Sequence, residues 1–296
     1  MGRETLLTIL LLLFGGLAAQ PLAAWPWRQA GGVTPAIAER RAWRRIWLPL
    51  VPTLVVAAWL CGWALRQPDP VRGHVDRALL VAACLPFALV AIRAAARSLR
   101  ALVREPVPLP VCTAGLLQPR VVFSPFFART LDDAQIRAAW EHEQAHVRHS
   151  DPLRIWLAQI ATDLQWPWPW ARERFDAWLQ VLEWARDDEA RSRGASGVDL
   201  AAAVLATARQ FAPGGRQAAP DAALAGDAGS LQLRIGRLLA PLPVGGASKA
   251  RAGSGDRVAA AAAGALLVTA IVLVVASGAL YGNAVLHPFL TWTWTV

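Results

Sequence analysis

Long apolar stretches alternate with one polar stretch along this chain. An α-helix needs about 20 mostly apolar residues to cross a bilayer, and four runs of about that length are present. They are about Leu6–Ala24, Ile46–Leu65, Ala78–Ala96 and Val258–Leu280. The third run contains Pro86, which a span tolerates when neighbouring helices satisfy the freed carbonyl. The pattern therefore predicts a polytopic helical membrane protein with four spans.

Arginines beside these runs predict the orientation of the spans. They concentrate between the first and second runs, after the third and before the fourth. Because cytoplasmic flanks carry an excess of Lys and Arg, residues 28–45 and 97–257 are predicted to be cytoplasmic, and the N-terminus, residues 67–77 and the tail to lie outside. The expected location is the inner membrane of a bacterium. A cleavable signal peptide is the alternative for the first run, since Arg3 precedes a leucine run that ends in small residues.

The polar stretch predicts a folded domain outside the bilayer. Its short Val-rich segments, Pro106–Cys112 and Arg120–Phe123, are bounded by Pro and Gly and predict extended strands or a small hairpin. An acidic first turn at Asp132 begins a helical series, and Ala212–Gly229 has the composition of a flexible loop. Helices are predicted over about 132–150, 152–164, 171–193, 199–210 and 231–239. The fold class is thus mainly α, with an inserted domain at 98–257 between an N-terminal membrane region (1–97) and the fourth span (258–280) with its short tail (281–296).

Composition narrows the class of protein. Hydrophobic residues make up 55% of the chain and the net charge is +9, whereas about 45–50% apolar residues are usual for soluble domains. Arginines next to apolar spans are typical of membrane flanks, so the lipid bilayer is the expected partner and nucleic acid is not. The three cysteines form no CxxC pair, which argues against a disulfide framework and against a thiolate metal site.

The sequence His142-Glu143-x-x-His146 carries the candidate chemistry. Each residue of an α-helix advances by about 100°, so the two histidines share one face, one turn apart. Two imidazoles in this arrangement can bind one Zn²⁺, and Glu143 beside them can act as the general base on a zinc-bound water. A surface helix that carries the motif by chance is the alternative.

A catalytic zinc site needs a third protein ligand. A metzincin would supply Gly and then His after the second histidine, but these positions hold His149 and Pro152. A gluzincin takes a Glu from a following helix. Glu183 is favoured because Asp187 follows one turn later and can orient a ligand histidine; the alternative is an ion pair between Glu183 and Arg186.

Several other polar residues have more than one possible role from the sequence alone. His149 shares the face of His142 and could line the cleft or stabilise an oxyanion, or be polar surface. Asp151 could orient a ligand histidine or only form a turn with Pro152. The oxyanion role could also fall to one of three arginines, and the Trp-Pro repeat at 166–170 could anchor the domain at the bilayer interface or bind a peptide. The arginines are Arg148, Arg172 and Arg174.

Together these motifs resemble the BlaR/MecR-type membrane zinc peptidases. The likeness covers about Pro106–Leu239 and rests on the segments Leu109–Cys112, Pro119–Phe123, Glu141–Asp151, Trp168–Trp170, Leu182–Asp187 and Arg234–Arg237. The resemblance implies that His142, His146 and Glu183 are zinc ligands, that Glu143 is the general base and that Asp187 lies behind the ligands. It also implies a gluzincin-like domain.

The chain departs from that family in two ways. Arg186 stands where relatives often carry a small residue or Cys, and the chain ends soon after Leu280 without the Ser-x-x-Lys of a penicillin-binding sensor. A β-lactam-sensing role is therefore not expected. The expected function is hydrolysis of peptide bonds in a regulatory protein, such as a repressor or the enzyme itself. The alternatives are an HtpX-type quality-control protease and a non-catalytic membrane signalling scaffold.

Overall fold

The computed structural model of the chain describes residues 8–23, 33–66, 74–103, 111–123, 130–211, 228–241, 268–282 and 284. Within these ranges the protein is mainly α-helical, as the hydrophobic pattern predicts, with one two-stranded sheet. A π-helix at Leu11–Ala18 continues into α1 (Ala19–Ala23). The helices that follow are α2 (Pro35–Trp47), α3 (Leu50–Arg66), α4 (His74–Val103), α5 (Asp133–His149), α6 (Asp151–Asp163), α7 (Pro169–Ser192), α8 (Gly197–Phe211), α9 (Ala228–Leu239) and α10 (Val268–Gly282).

The predicted helices of the polar stretch are all present, with ends shifted by no more than a few residues. The predicted hairpin is also formed, because β1 (Val111–Ala114) pairs antiparallel with β2 (Arg120–Phe123). Residues 106–110 of the first predicted strand lie outside the described ranges. The same holds for residues 212–227 of the predicted loop, whose last two residues instead begin α9.

Two helical stretches are long and apolar enough to cross a membrane. They are Pro35–Arg66, which joins α2 to α3, and Arg77–Val103 in α4, and they contain the second and third predicted spans. Within the described residues, the first and fourth predicted spans are represented by shorter apolar helices at Thr8–Leu22 and Val268–Gly282. The remaining residues of those two spans lie outside the described ranges, so their full length stays a prediction.

Helices α3 and α10 cross in close contact at glycines. A Cβ added at Gly62 would lie 1.9 Å from the carbonyl oxygen of Val275, and one at Gly278 would lie 2.0 Å from that of Trp59. Gly278 and Gly282 have the small-xxx-small spacing that lets the backbones of membrane helices approach one another. A side chain at either crossing position would push the two helices apart.

We expect Gly62→Val to destabilise the α3–α10 crossing by about 1–3 kcal/mol or more, the usual cost of overpacking a close contact. Thermal unfolding of the detergent-solubilised protein measures this. Cys61→Val is the matched control, because Cys61 is the adjacent residue and is exposed. Equal melting temperatures for the two variants would contradict the close crossing.

The core beneath the polar domain is shared with α2. This helix packs along α7, and Ile46 joins Phe175, Trp178 and Leu182 in one buried cluster. Helix α2 is amphipathic: it buries Glu39 and Ile46 while its arginines lie on other faces. A segment that the hydrophobic pattern assigns to the N-terminal membrane region therefore belongs to the same core as the candidate site.

A second core holds α9 in place. Leu238 is buried with Ala138 of α5, Ala190 of α7 and Leu200 of α8. The guanidinium of Arg191 also donates to the backbone carbonyls of Arg237 and Ala240, at 3.3 and 2.6 Å, and so satisfies acceptors at the end of α9. These contacts fix α9 against α5 and α7, the two helices that carry the predicted ligands.

Candidate metal centre

Helix α5 carries both motif histidines, and capping interactions fix the start of this helix. Its first turn is closed by a reciprocal capping box between Asp132 and Gln135, which satisfies backbone donors that would otherwise be unpaired. His142 and His146 are both buried, 6% and 8% exposed. Their Nε2 atoms face each other at 3.1 Å, so two metal-binding nitrogens point into one space.

Glu183 of α7 completes a triangle of ligand atoms. Its Oε2 lies 3.4 Å from Nε2 of His142, and its Oε1 lies 3.6 Å from Nε2 of His146. Ligand atoms at about 2.0–2.2 Å from a tetrahedral zinc ion are about 3.3–3.6 Å apart. The three residues form the one cluster of His, Cys and carboxylate groups with metal-ligand spacing found among the described residues. The donor set and its spacing fit a zinc ion with one coordination position left for water or substrate.

Each histidine has a carboxylate at its far nitrogen. Nδ1 of His146 is 2.9 Å from Oδ2 of Asp151, and Nδ1 of His142 is 2.9 Å from Oδ1 of Asp187. The first pair has hydrogen-bond geometry, whereas the second is close without the alignment of a good hydrogen bond. Carboxylates in these positions hold the tautomer that leaves Nε2 free for a metal. Of the two alternatives for Asp151, the structure thus shows the contact with a motif histidine, His146.

The junction between α5 and α6 brings the carboxylate of Asp151 next to Nδ1 of His146. Ser150 ends α5 in a left-handed conformation (φ 52°), and α6 begins at the next residue. Asp151 is fully buried, and its carboxylate accepts hydrogen bonds from Arg186 and from Arg154. The alternative pairing of Glu183 with Arg186 is not what the structure contains, since Arg186 is turned to Asp151.

Arg234 of α9 is a site residue that the motifs do not indicate. Its Nε and Nη2 atoms each donate to Asp187 at 2.8 Å, and its Nη1 atom lies 2.9 Å from Oε2 of Glu183. Nη2 is also 3.4 Å from Nε2 of His142. The one sequence signal is the Arg-Ile segment in the family resemblance, which carries no chemical role by itself.

These charges control the protonation of the site. Burial alone would raise the pKa of Glu183 and of Asp187, but Arg234 and His142 outweigh it and lower both. Burial alone would lower the pKa of His142, but the two carboxylates raise it to about 10. Without a metal, the site therefore holds a proton on His142 between two carboxylates.

Glu143 of α5 contacts the two-stranded sheet through Thr113 of β1. The hydroxyl of Thr113 in β1 is 2.7 Å from Oε2 of Glu143 and 3.0 Å from its backbone carbonyl oxygen. The side chain is half-buried, and its charge acts on Arg234. Thr113 is a second site residue that the motifs do not indicate, because the packing of β1 against α5 is a tertiary contact.

The structure places the other polar candidates away from the ligand triangle. Nε2 of His149 is 2.8 Å from Oε2 of Glu189, and Nε of Arg148 is 2.8 Å from Oε1 of the same carboxylate. Arg172 pairs with Asp176, and Arg174 donates to Gln165. The arginine that contacts the predicted ligands is therefore the one on α9, rather than any of these three.

Compared with models of protein families, with curated proteins and with solved structures, the chain has no match. The family resemblance of its motifs therefore stays a prediction. The site is interpreted from its own geometry and chemistry.

We expect zinc affinity to rise with pH. A zinc ion must displace the proton that Asp187 and Glu183 hold on His142, so the apparent affinity should increase about tenfold per pH unit between about pH 6 and pH 8. Chelator competition at several pH values measures it. An affinity independent of pH would mean that His142 is neutral in the metal-free protein.

We expect Asp187→Asn to weaken zinc binding by about 10–100-fold, the usual effect of losing a group that orients a ligand histidine. The change removes the negative charge near Nδ1 of His142, and this loss weakens the binding of a dication. Asp188→Asn is the matched control, because Asp188 is the next residue and pairs with Arg237. Equal zinc affinities of the two variants would show that Asp187 does not orient His142.

Proposed function

We propose that the protein is a membrane-associated, zinc-dependent endopeptidase with a gluzincin-like site. The observation that carries this proposal is the triangle of His142, His146 and Glu183, with ligand-atom separations of 3.1–3.6 Å. Two imidazoles and one carboxylate are the ligand set of zinc peptidases that leave a position for water. Glu143, beside the first ligand and directed by Thr113, supports hydrolysis over a purely structural zinc site.

The proposed reaction divides the work between the ligand triangle and three further side chains. His142, His146 and Glu183 would hold a zinc ion, which would supply Lewis-acid chemistry for a bound water and for the carbonyl of the substrate. Glu143 accepts the proton of the attacking water and passes it to the nitrogen of the leaving amine. Thr113 directs that carboxylate by a hydrogen bond to Oε2. Arg234 holds Glu183 and Asp187 together, and because its Nη2 atom is 3.4 Å from Nε2 of His142, it is also the proposed stabiliser of a developing oxyanion.

The proposed location at the membrane limits the class of substrates that the site can reach. Helix α2 runs directly into a stretch long enough to span a bilayer, so the site lies near the membrane surface. The excess of arginine at residues 28–45 and 97–104 favours the cytoplasmic side of a bacterial inner membrane. Together with the resemblance to BlaR/MecR-type peptidases, this supports a regulatory protein, such as a repressor or the enzyme itself, as the substrate.

We expect Glu143→Gln to abolish peptide cleavage while the protein still binds zinc. Loss of a general base costs about 10²–10⁴-fold in rate, whereas the ligand triangle is unchanged. The measurement is cleavage of a reporter substrate by the detergent-solubilised protein, with zinc content determined on the same sample. Glu141→Gln is the control, because Glu141 lies on the same helix and pairs with Arg148 at 3.8 Å.

The same experiment separates the alternatives. Equal cleavage by wild type and Glu143→Gln would remove the peptidase proposal, and zinc binding without any cleavage would favour a signalling scaffold. Substrates are identified by comparing the membrane proteome and transcriptome of cells that carry Glu143→Gln with those of wild type. Accumulation of misassembled membrane proteins, without a change in a regulon, would favour a quality-control protease.

A further inference from the structure

A second polar site lies on the far side of α6, where α4 meets the start of α7. A cavity there is lined by Arg93 and Arg97 of α4, Asp163 at the end of α6, Trp166 and Trp168 of the turn, and Arg172 of α7. None of these side chains belongs to the metal centre. The cavity combines cationic groups with aromatic rings, and nothing in the proposed hydrolysis uses it.

The side chains that line this cavity carry more positive than negative charge. Asp163 is buried, and its two oxygens accept one hydrogen bond from Arg93 at 3.1 Å and one from Arg97 at 3.0 Å. A guanidinium carries five N–H donors, and both arginine side chains are more than one-third exposed. Arg172 adds a third positive charge, whose partner Asp176 is half exposed to solvent. The cavity therefore has donors and charge to accept one further anion.

Two other features lie at the edge of this cavity, where Trp168 is one of the lining residues. The indole N–H of Trp168 is buried and has no hydrogen-bond partner within the described part of the chain. Trp168 is also the N-cap of α7, a helix of 24 residues, and provides no side-chain cap. The N–H of Ala171 donates to the carbonyl of Trp168 and Pro169 has no N–H, so this helix start favours a negative group mainly through its dipole.

The cavity lies at the end of the apolar run of α4, and this position favours a lipid headgroup as the anion. Arg93 and Arg97 stand where the apolar run of α4 ends, which is the level of the lipid headgroups if α4 crosses the bilayer. Trp166 and Trp170 are exposed there, 40% and 46%, as is usual for tryptophans at a membrane interface. The exposed apolar side chains of α4, such as Leu85, Leu89 and Ile92, lie along the path of acyl chains.

From these observations we infer that the cavity binds the phosphodiester of an anionic phospholipid, with Arg93, Arg97 and Arg172 as the ligands of the phosphate. The inference rests on the proposed membrane location and not on peptidase activity. A lipid held there would tie the start of α7, the helix that carries Glu183, to the membrane surface.

The test is binding of phosphatidylglycerol to the full-length protein in detergent, measured by native mass spectrometry, with phosphatidylcholine as the reference. We expect phosphatidylglycerol to bind more tightly than phosphatidylcholine. Arg172→Gln and Arg97→Gln should each weaken its binding about fivefold, the effect of one arginine near an anionic lipid. Arg100→Gln is the matched control, because Arg100 is exposed on the same helix one turn from Arg97 and does not line the cavity.

The variant Asp163→Asn is expected to have the opposite effect on the affinity for phosphatidylglycerol. Removing the carboxylate that competes for Arg93 and Arg97 should tighten lipid binding, whereas a merely structural ion cluster would only lose stability. If this variant does not fold, Arg172→Gln against Arg100→Gln decides, since neither residue contacts a buried charge. Equal lipid affinities of those two variants would overturn the inference.

Inorganic phosphate distinguishes a lipid from a soluble anion. We expect it to compete only at concentrations far above those of the lipid, because it lacks acyl chains; equal affinity would overturn the lipid assignment. Glu143→Gln should bind phosphatidylglycerol as wild type does. Failure of the peptidase proposal would therefore leave the lipid result unchanged, and the reverse also holds.

Discussion

Two buried carboxylates, each shared between a histidine and an arginine, are the constraint on which the site depends. Asp151 joins His146 to Arg186, and Asp187 joins His142 to Arg234. A buried carboxylate without a partner would be too costly to ionise, so each arginine keeps its carboxylate charged. A charged carboxylate beside Nδ1 favours the imidazole tautomer that leaves Nε2 free. The geometry of the proposed metal ligands thus depends on guanidinium groups that contact the carboxylates behind the two histidines.

The arrangement explains why Arg186 is compatible with the motif. A long cationic side chain at this position would be expected to weaken metal binding, because it would repel the ion or form an ion pair with the carboxylate ligand. Here Arg186 is 4% exposed and is directed to Asp151. Its charge is paired with Asp151, which is outside the proposed ligand set, so of these two arginines only Arg234 contacts Glu183.

Local patterns predicted most of the frame, and tertiary contacts supplied the rest. The capping box at Asp132 and the break at Asp151 are sequence-local, so the helix bearing the motif was predictable, and the spacing of Glu183 and Asp187 on one helix face placed both beside the histidines. Arg234 and Thr113 were not predictable as site residues, because α9 and β1 reach the site only through packing. The membership of α2 in the core was missed for a different reason: hydropathy along the chain reports that a segment precedes a span, but not which helix it packs against.

The contacts of both histidines continue beyond their own helix to other helices of the protein. From His146 the contacts continue through Asp151 to Arg154, which donates to the buried Glu39 of α2, and α2 runs into α3. From His142 they continue to Arg234 on α9, the described helix that precedes α10 in the chain. Helices α3 and α10 in turn cross at glycine contacts that leave no room for a side chain. His146 is therefore linked by side-chain contacts to α2, the helix that leads into α3, so a displacement of α2 would act on this imidazole.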